Sequence, residues 1–198
     1  KEKFIIESSK THIIPLDEAK KDSDFINFIT ASKQDMNGLE YLIFFQTDVV
    51  HEGINSNGHR FFKDDLKASQ EPFKYAPVKF EHNGPIIGAI VGSEYLEEEG
   101  EGLIRAKGVL WALEESYIVG QLVQELALNE DSYKTSMECY FDPPYLCDYG
   151  IGDKKISYDK FLAIADYQGM DYKGNGVVWQ RPNGAIFTGI AFTSNAAD

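Results

Sequence analysis

An α+β fold dominated by antiparallel strands, arranged as a sheet or small barrel that carries helices, is what this sequence predicts. Three observations lead there. Runs rich in aromatic and β-branched residues recur along the chain and are separated by turn signals. Two of those separations, Asn83-Gly84-Pro85 and the acidic Glu97-Glu98-Glu99-Gly100-Glu101-Gly102, have the composition of hairpin turns. Only two or three segments show helical spacing, too few and too irregular for the strand–helix alternation of a parallel sheet.

The chain opens with short extended pieces at residues 4–7 and 11–14, broken by Pro15. Residues 17–32 mix charges with Phe25, Ile26, Phe28 and Ile29, which reads as a short amphipathic helix or an irregular cover. Residues 39–50, Leu-Glu-Tyr-Leu-Ile-Phe-Phe-Gln-Thr-Asp-Val-Val, follow Asn37-Gly38 and predict a central strand. A loop with an Asn57-Gly58 turn leads to residues 62–70, where Phe62, Leu66 and Ser69 share one helical face. Pro72 and Pro77 end that helix.

Strands are expected at residues 76–81, 86–96 and 103–111. Residues 113–128 form the clearest helix, with Tyr117, Ile118, Leu122, Val123 and Leu126 at helical spacing. Glu114 and Glu115 suit the positive end of its dipole. A strand through Tyr133–Phe141 follows. Residues 142–184, rich in Gly, Tyr and Asp, read as an elaboration on the core with a short helical patch near residues 158–166. Residues 185–193 form a closing strand. The whole of 1–198 is read as one domain.

Composition excludes several functions. With 43% hydrophobic and 13% aromatic residues, 198 residues suffice for one sizeable core. A net charge of −13, from 19 basic against 32 acidic side chains, repels phosphate backbones and anionic lipid, so neither a nucleic acid nor a membrane is expected as partner. The first ten residues lack a signal peptide's apolar run, and a soluble, non-secreted chain is expected. Two cysteines, Cys139 and Cys147, are too few for a disulfide framework and are read as thiols.

Two polar residues stand out because the pattern around each is that of a strand, which can hold a reacting group rigidly. They are His82, in Lys79-Phe80-Glu81-His82-Asn83, and Ser136, in Thr135-Ser136-Met137-Glu138. A serine hydroxyl becomes a nucleophile when an imidazole takes its proton, and the imidazole needs a third group to fix its tautomer. Asp65, Asp64 and Glu81 are the candidates for that third place; Glu81 is disfavoured because adjacent strand residues point to opposite faces. By the same alternation, Cys139 is a core residue. A metal site on His51, His59 and His82 is the competing chemistry, but the separations match no compact ligand motif, and no metal or other cofactor is expected.

The order of segments adds to this reading. Asn55-Ser56-Asn57-Gly58-His59-Arg60-Phe61-Phe62, then Pro77-Val78-Lys79-Phe80-Glu81-His82, then Ile87-Gly88-Ala89-Ile90-Val91, then a helix and Thr135-Ser136-Met137-Glu138 resembles the prohead (capsid maturation) proteases of tailed phages. The likeness extends to Phe187–Ala197, which resembles the family's late strand and small-residue tail. This resemblance implies a serine endopeptidase of the herpesvirus assemblin type, a β-barrel surrounded by helices, with Ser136 as nucleophile and His82 as base.

Herpesvirus enzymes place a second histidine after the serine. None follows His82 here, and the resemblance to the phage enzymes points instead to an acid before the histidine, Asp65 rather than Asp64. It further implies scaffolding and major capsid proteins as substrates, self-cleavage or self-association, and a location inside the immature prohead in the host cytoplasm. Gly189 is a candidate for an oxyanion donor. The rival expectation is a catalytically silent fold of this type, serving as a structural or scaffold-binding module of the virion.

Overall fold

The computed structural model describes residues 2–8, 11–31, 41–112, 116–130 and 132–193. In chain order these form β1 (Glu2–Ser8), β2 (Thr11–Ile14), α1 (Leu16–Ala19), α2 (Ser23–Ala31), β3 (Leu42–His51), β4 (Gly53–Ile54), β5 (Arg60–Phe61) and α3 (Lys63–Ser69). Next come β6 (Pro77–Phe80), β7 (Ile86–Glu98), β8 (Glu101–Trp111), α4 (Ser116–Leu128) and β9 (Lys134–Phe141). The last stretch holds β10 (Asp148–Ile151), β11 (Lys154–Ile156), α5 (Tyr158–Leu162), β12 (Val178–Arg181) and β13 (Ile186–Thr193). The expected start of the central strand at residues 39–40 and of the long helix at 113–115 lies outside the described residues.

Eight strands make one sheet in the order β1-β9-β13-β6-β7-β8-β3-β2. Every neighbouring pair is antiparallel except β13 with β6, which run parallel. The α+β class and the mainly antiparallel sheet are therefore as expected. The sheet is not closed, however, and a barrel is not formed among the described residues.

Its two ends approach through side chains instead. Thr135 of β9 lies 3.0 Å, hydroxyl to hydroxyl, from Thr47 of β3, and donates to the Asp48 carbonyl at 3.3 Å. Thr47 in turn meets Thr11 of β2 at 2.9 Å. A ladder of threonines thus links the paired strands β2 and β3 to β9, with which they share no backbone pairing, because a hydroxyl can both donate and accept.

Each face of the sheet has its own core. The inner face carries Phe45, Val78, Ile90, Ile104, Met137, Cys139, Phe141, Ile190 and Phe192, buried with Leu66 of α3 and Val119, Leu122 and Leu126 of α4. On the opposite face a smaller cluster of Leu42, Phe44, Val91 and Val109 is covered by Ala19 of α1 and Phe25 of α2. The described part of the segment 17–32, residues 17–31, thus forms two helices roofing one end of that outer face. The other end of the outer face, over β6, β13 and β9, carries polar groups.

Residues 142–184 are more regular than their composition suggests. Within them β11, β10 and β12 form a second, three-stranded sheet, whose Tyr149, Ile151 and Val178 join the inner core. The glycines explain why periodicity hid this: Gly152, Gly174 and Gly176 sit at positive φ in the connecting turns, a region glycine enters freely. The region read as a plain loop after residue 50 likewise holds a two-residue hairpin, β4 with β5.

Candidate functional site

Strand alternation builds the site. On β9 the side chains of Met137, Cys139 and Phe141 enter the inner core, so Ser136 and Glu138 point to the outer face. Ser136 is in register with Ala191 of β13, and Ala191 with Lys79 of β6, so Lys79 shares that face. Glu138 is in register with Gly189. Between the Lys79 and Glu138 side chains, the intervening strand β13 therefore presents Gly189 and Ala191. Across that low strip, about 10 Å wide as two strand spacings, the Lys79 ammonium reaches both carboxylate oxygens of Glu138, at 3.0 and 3.2 Å.

His82 arrives by a turn, not a strand. Glu81 has a φ of 55°, an uncommon left-handed conformation for a residue with a side chain. Its N–H donates to the Phe192 carbonyl at 2.8 Å, and the Gly84 N–H donates to the Glu81 carbonyl at 3.2 Å. Only glycine fits at position 84, where a Cβ would collide with the Phe80 carbonyl oxygen. This turn swings His82 over the outer face, and its Nδ1 lies 3.3 Å from Oε1 of Glu138. A carboxylate only accepts, so Nδ1 carries the proton and Nε2 keeps a lone pair. Backbone strain beside a candidate base is of the kind that collects at functional sites.

Lys79, His82 and Glu138 thus meet, and Ser136 lies on the same face of β9 two residues before Glu138. The Glu138 side chain is 3% exposed, against 20% for Lys79 and 22% for His82. A carboxylate so deeply placed requires compensating cations and donors. Ser136 is 1% exposed, and among the described residues its hydroxyl has no hydrogen-bond partner, His82 included. A hydroxyl that is buried but uncommitted is costly to keep for structure alone.

The acid expected beside His82 is not Asp65. That carboxylate accepts from the Phe62 N–H at 2.9 Å, closing the start of α3, and is gripped by Arg181 of β12 at 2.6 to 3.2 Å. Asp65 is therefore a cap and clamp between α3 and the small sheet, and Glu138 is the carboxylate on His82. Asp64 lies on the exposed side of α3. Glu81 holds the turn through its backbone.

Sequence reasoning missed Glu138 and Lys79 as site residues. The signal was present: Ser-x-Glu on a strand puts both side chains on one face. The partnership of Glu138 with His82 is non-local and rests on the left-handed turn, which periodicity does not show.

The three histidines of the metal reading are placed differently. His59 is buried with its ring 6.1 Å from that of Phe141, His51 is exposed at the end of β3, and His82 is on Glu138. Among the described residues no three His, Cys, Asp or Glu side chains converge on a metal position, and no helix is long and apolar enough to cross a membrane. Gly189, the expected oxyanion donor, is on β13 opposite Glu138, one step along from the Ser136 row. No protein family, curated protein or solved structure matches the chain.

Proposed function

We propose that the chain is a serine endopeptidase in which Ser136 is the nucleophile, His82 the general base and Glu138 the acid that fixes the His82 tautomer. The observation that carries this reading is the His82 Nδ1 to Glu138 Oε1 contact of 3.3 Å on the sheet face that also bears Ser136. It supplies an oriented imidazole with its second nitrogen available, and a hydroxyl not engaged elsewhere. The Ser136 oxygen bonds to the peptide carbonyl carbon as its proton passes to Nε2 of His82. Collapse of the adduct breaks the C–N bond, and that proton leaves on the amine. Water, deprotonated by the same nitrogen, then bonds to the acyl carbon, the C–O bond to Ser136 breaks, and that proton returns to the serine oxygen.

The resemblance to phage prohead proteases supports the biological setting: scaffolding and major capsid proteins, and the enzyme itself, cleaved inside the immature head. On this reading the open eight-stranded sheet, with its ends tied by Thr11, Thr47 and Thr135, is a form of the assemblin-type barrel.

One observation favours a second reading. Ser136 is 1% exposed with an unengaged hydroxyl, as in a silent module that binds scaffold without cutting it. A fluorophosphonate probe separates the two. Labelling at Ser136, located by mass spectrometry and lost in Ser136→Ala and His82→Ala, supports the enzyme. A folded chain that is never labelled, even when coexpressed with scaffold protein, supports the silent module.

A further inference from the structure

Lys79 stands outside the three roles just assigned, yet it is the cation closest to the Glu138 carboxylate among the contacts described. Its ammonium is 3.0 Å from Oε2 and 3.2 Å from Oε1, and Oε1 is the same oxygen that meets His82. In a buried site a carboxylate beside an imidazole can hold a proton between them, which removes the base from use. A fixed positive charge against the carboxylate opposes that proton and also fixes the direction of the oxygens. The sheet is arranged to allow this contact, because β13 places Gly189 and Ala191, with no bulk, between Lys79 and Glu138.

We propose that Lys79 is a positioning residue of this site, one that aims Glu138 at His82 and keeps the Glu138–His82 pair from holding a proton at working pH. The inference rests on the endopeptidase reading for its catalytic consequence, but the coupling of Lys79 to His82 stands on geometry alone. Among the described side chains, the charged groups in contact at the pair are Lys79 on β6 and Glu138 on β9, with Glu81 next to His82 in the chain; β1 also pairs with β9 here, with Ile5 in register with Glu138 and Glu7 with Ser136. From β13 come Gly189 and Ala191, which carry no charge. Among the described side chains, Lys79 is a positive charge within hydrogen-bonding distance of Glu138.

Four proteins test this: the native chain, Lys79→Arg, Lys79→Met and Ala191→Leu. The last leaves both charged residues in place but wedges a side chain between them. Two readouts run in parallel. One is the imidazole NMR signal of His82, identified among four histidines by its loss in His82→Gln, followed against pH. The other is the rate of fluorophosphonate labelling at Ser136 over the same pH range.

Lys79→Met is expected to move the His82 titration and the half-maximal pH of labelling upward together, by about one pH unit. The labelling plateau should fall about 10- to 100-fold from loss of alignment. Lys79→Arg should restore both, and Ala191→Leu should reproduce the Met variant in weaker form. Folded Lys79→Met and Ala191→Leu proteins whose His82 signal and labelling profile both match the native ones would overturn the proposal. So would a Lys79→Met protein that loses all labelling while its His82 titration is unmoved, since Lys79 would then be a base itself. If the native chain is never labelled yet the His82 titration shifts as described, the coupling holds and the endopeptidase reading fails.

Discussion

Glu138 and Asp65 are both carboxylates held against a cation from a strand far away in sequence, and they differ in what else they touch. Asp65 spends its capacity on the Phe62 N–H and on two guanidinium nitrogens of Arg181. Each of those donors stays protonated at any pH the fold survives, so the arrangement has one state. Glu138 shares an oxygen between Lys79 and His82, and an imidazole, unlike a guanidinium or a backbone N–H, is a group that can exchange its proton. Beside it Ser136 carries a buried hydroxyl with no partner. A carboxylate saturated by permanent donors stabilises a fold, whereas one shared with a titrating group next to an uncommitted hydroxyl is equipped for proton transfer.

The strongest way to break that comparison is to remove the two groups to which the proposed endopeptidase assigns the reaction. Ser136→Ala and His82→Ala are each expected to lower peptide hydrolysis by about 10⁶-fold, as for other nucleophile and base deletions. Thermal unfolding should scarcely change in His82→Ala, whose side chain is part-exposed. Glu138→Gln comes next. It keeps the shape but can present an amide N–H to His82, favouring the wrong tautomer, and turnover should drop by about 10³- to 10⁴-fold. Single-turnover acylation of each variant checks both expectations, and near-native activity in Glu138→Gln would return the acid's role to some other group.

Much of this contrast was legible in the chain and part was not. The strand containing Ser136 and the helix containing Asp65 follow from local pattern, because alternation and helical spacing are set by neighbours in sequence. Cys139 falls in the inner core for the same reason. Which carboxylate meets His82 depends on a left-handed Glu81 and on the pairing of β13 between β6 and β9. Neither leaves a periodic trace. Asp65 is the acid to which the phage-protease resemblance points, in the helix before His82, but it stands three residues after Phe62, the spacing of a helix cap. The expected barrel is not closed among the described residues, and closure is the hardest feature to read because the pairing of edge strands is the most non-local feature of a sheet.

The two histidines on strand-flanking turns sharpen the comparison at a smaller scale. His82 sits against a carboxylate at the surface of the sheet, while His59 is buried against Phe141, and burial pushes its pKa down from 6.5 to about 4. The folded state therefore keeps His59 neutral where the unfolded chain takes up a proton. Its contribution is complete above about pH 6.5 and is lost as pH falls toward about 4, amounting to roughly 3 kcal/mol over that window. Urea midpoints measured between pH 7 and pH 4 should fall accordingly, and His59→Phe should flatten that part of the profile. An unchanged slope in His59→Phe would assign the acid sensitivity to the carboxylates.

The smallest expected effect discriminates best between the two carboxylates. Asp65→Asn weakens the cap on α3 and the paired bonds to Arg181, whose side chains are 17% and 27% exposed. A cap is worth about 1 kcal/mol and a part-exposed charged pair about as much after solvent screening, so the loss should be about 2 kcal/mol. In a domain of this size that lowers Tm by roughly 4–8 °C. Arg181 is held up in pKa first by its hydrogen bonds to Asp65 and also by the charges of Asp65 and Asp148, so it stays charged in the variant and Arg181→Gln should cost a similar amount. Labelling of Ser136 per folded molecule should be unchanged in both. If Asp65→Asn instead abolished labelling while leaving Tm alone, the saturated carboxylate would be the chemical one, and the rule drawn from this pair would be reversed.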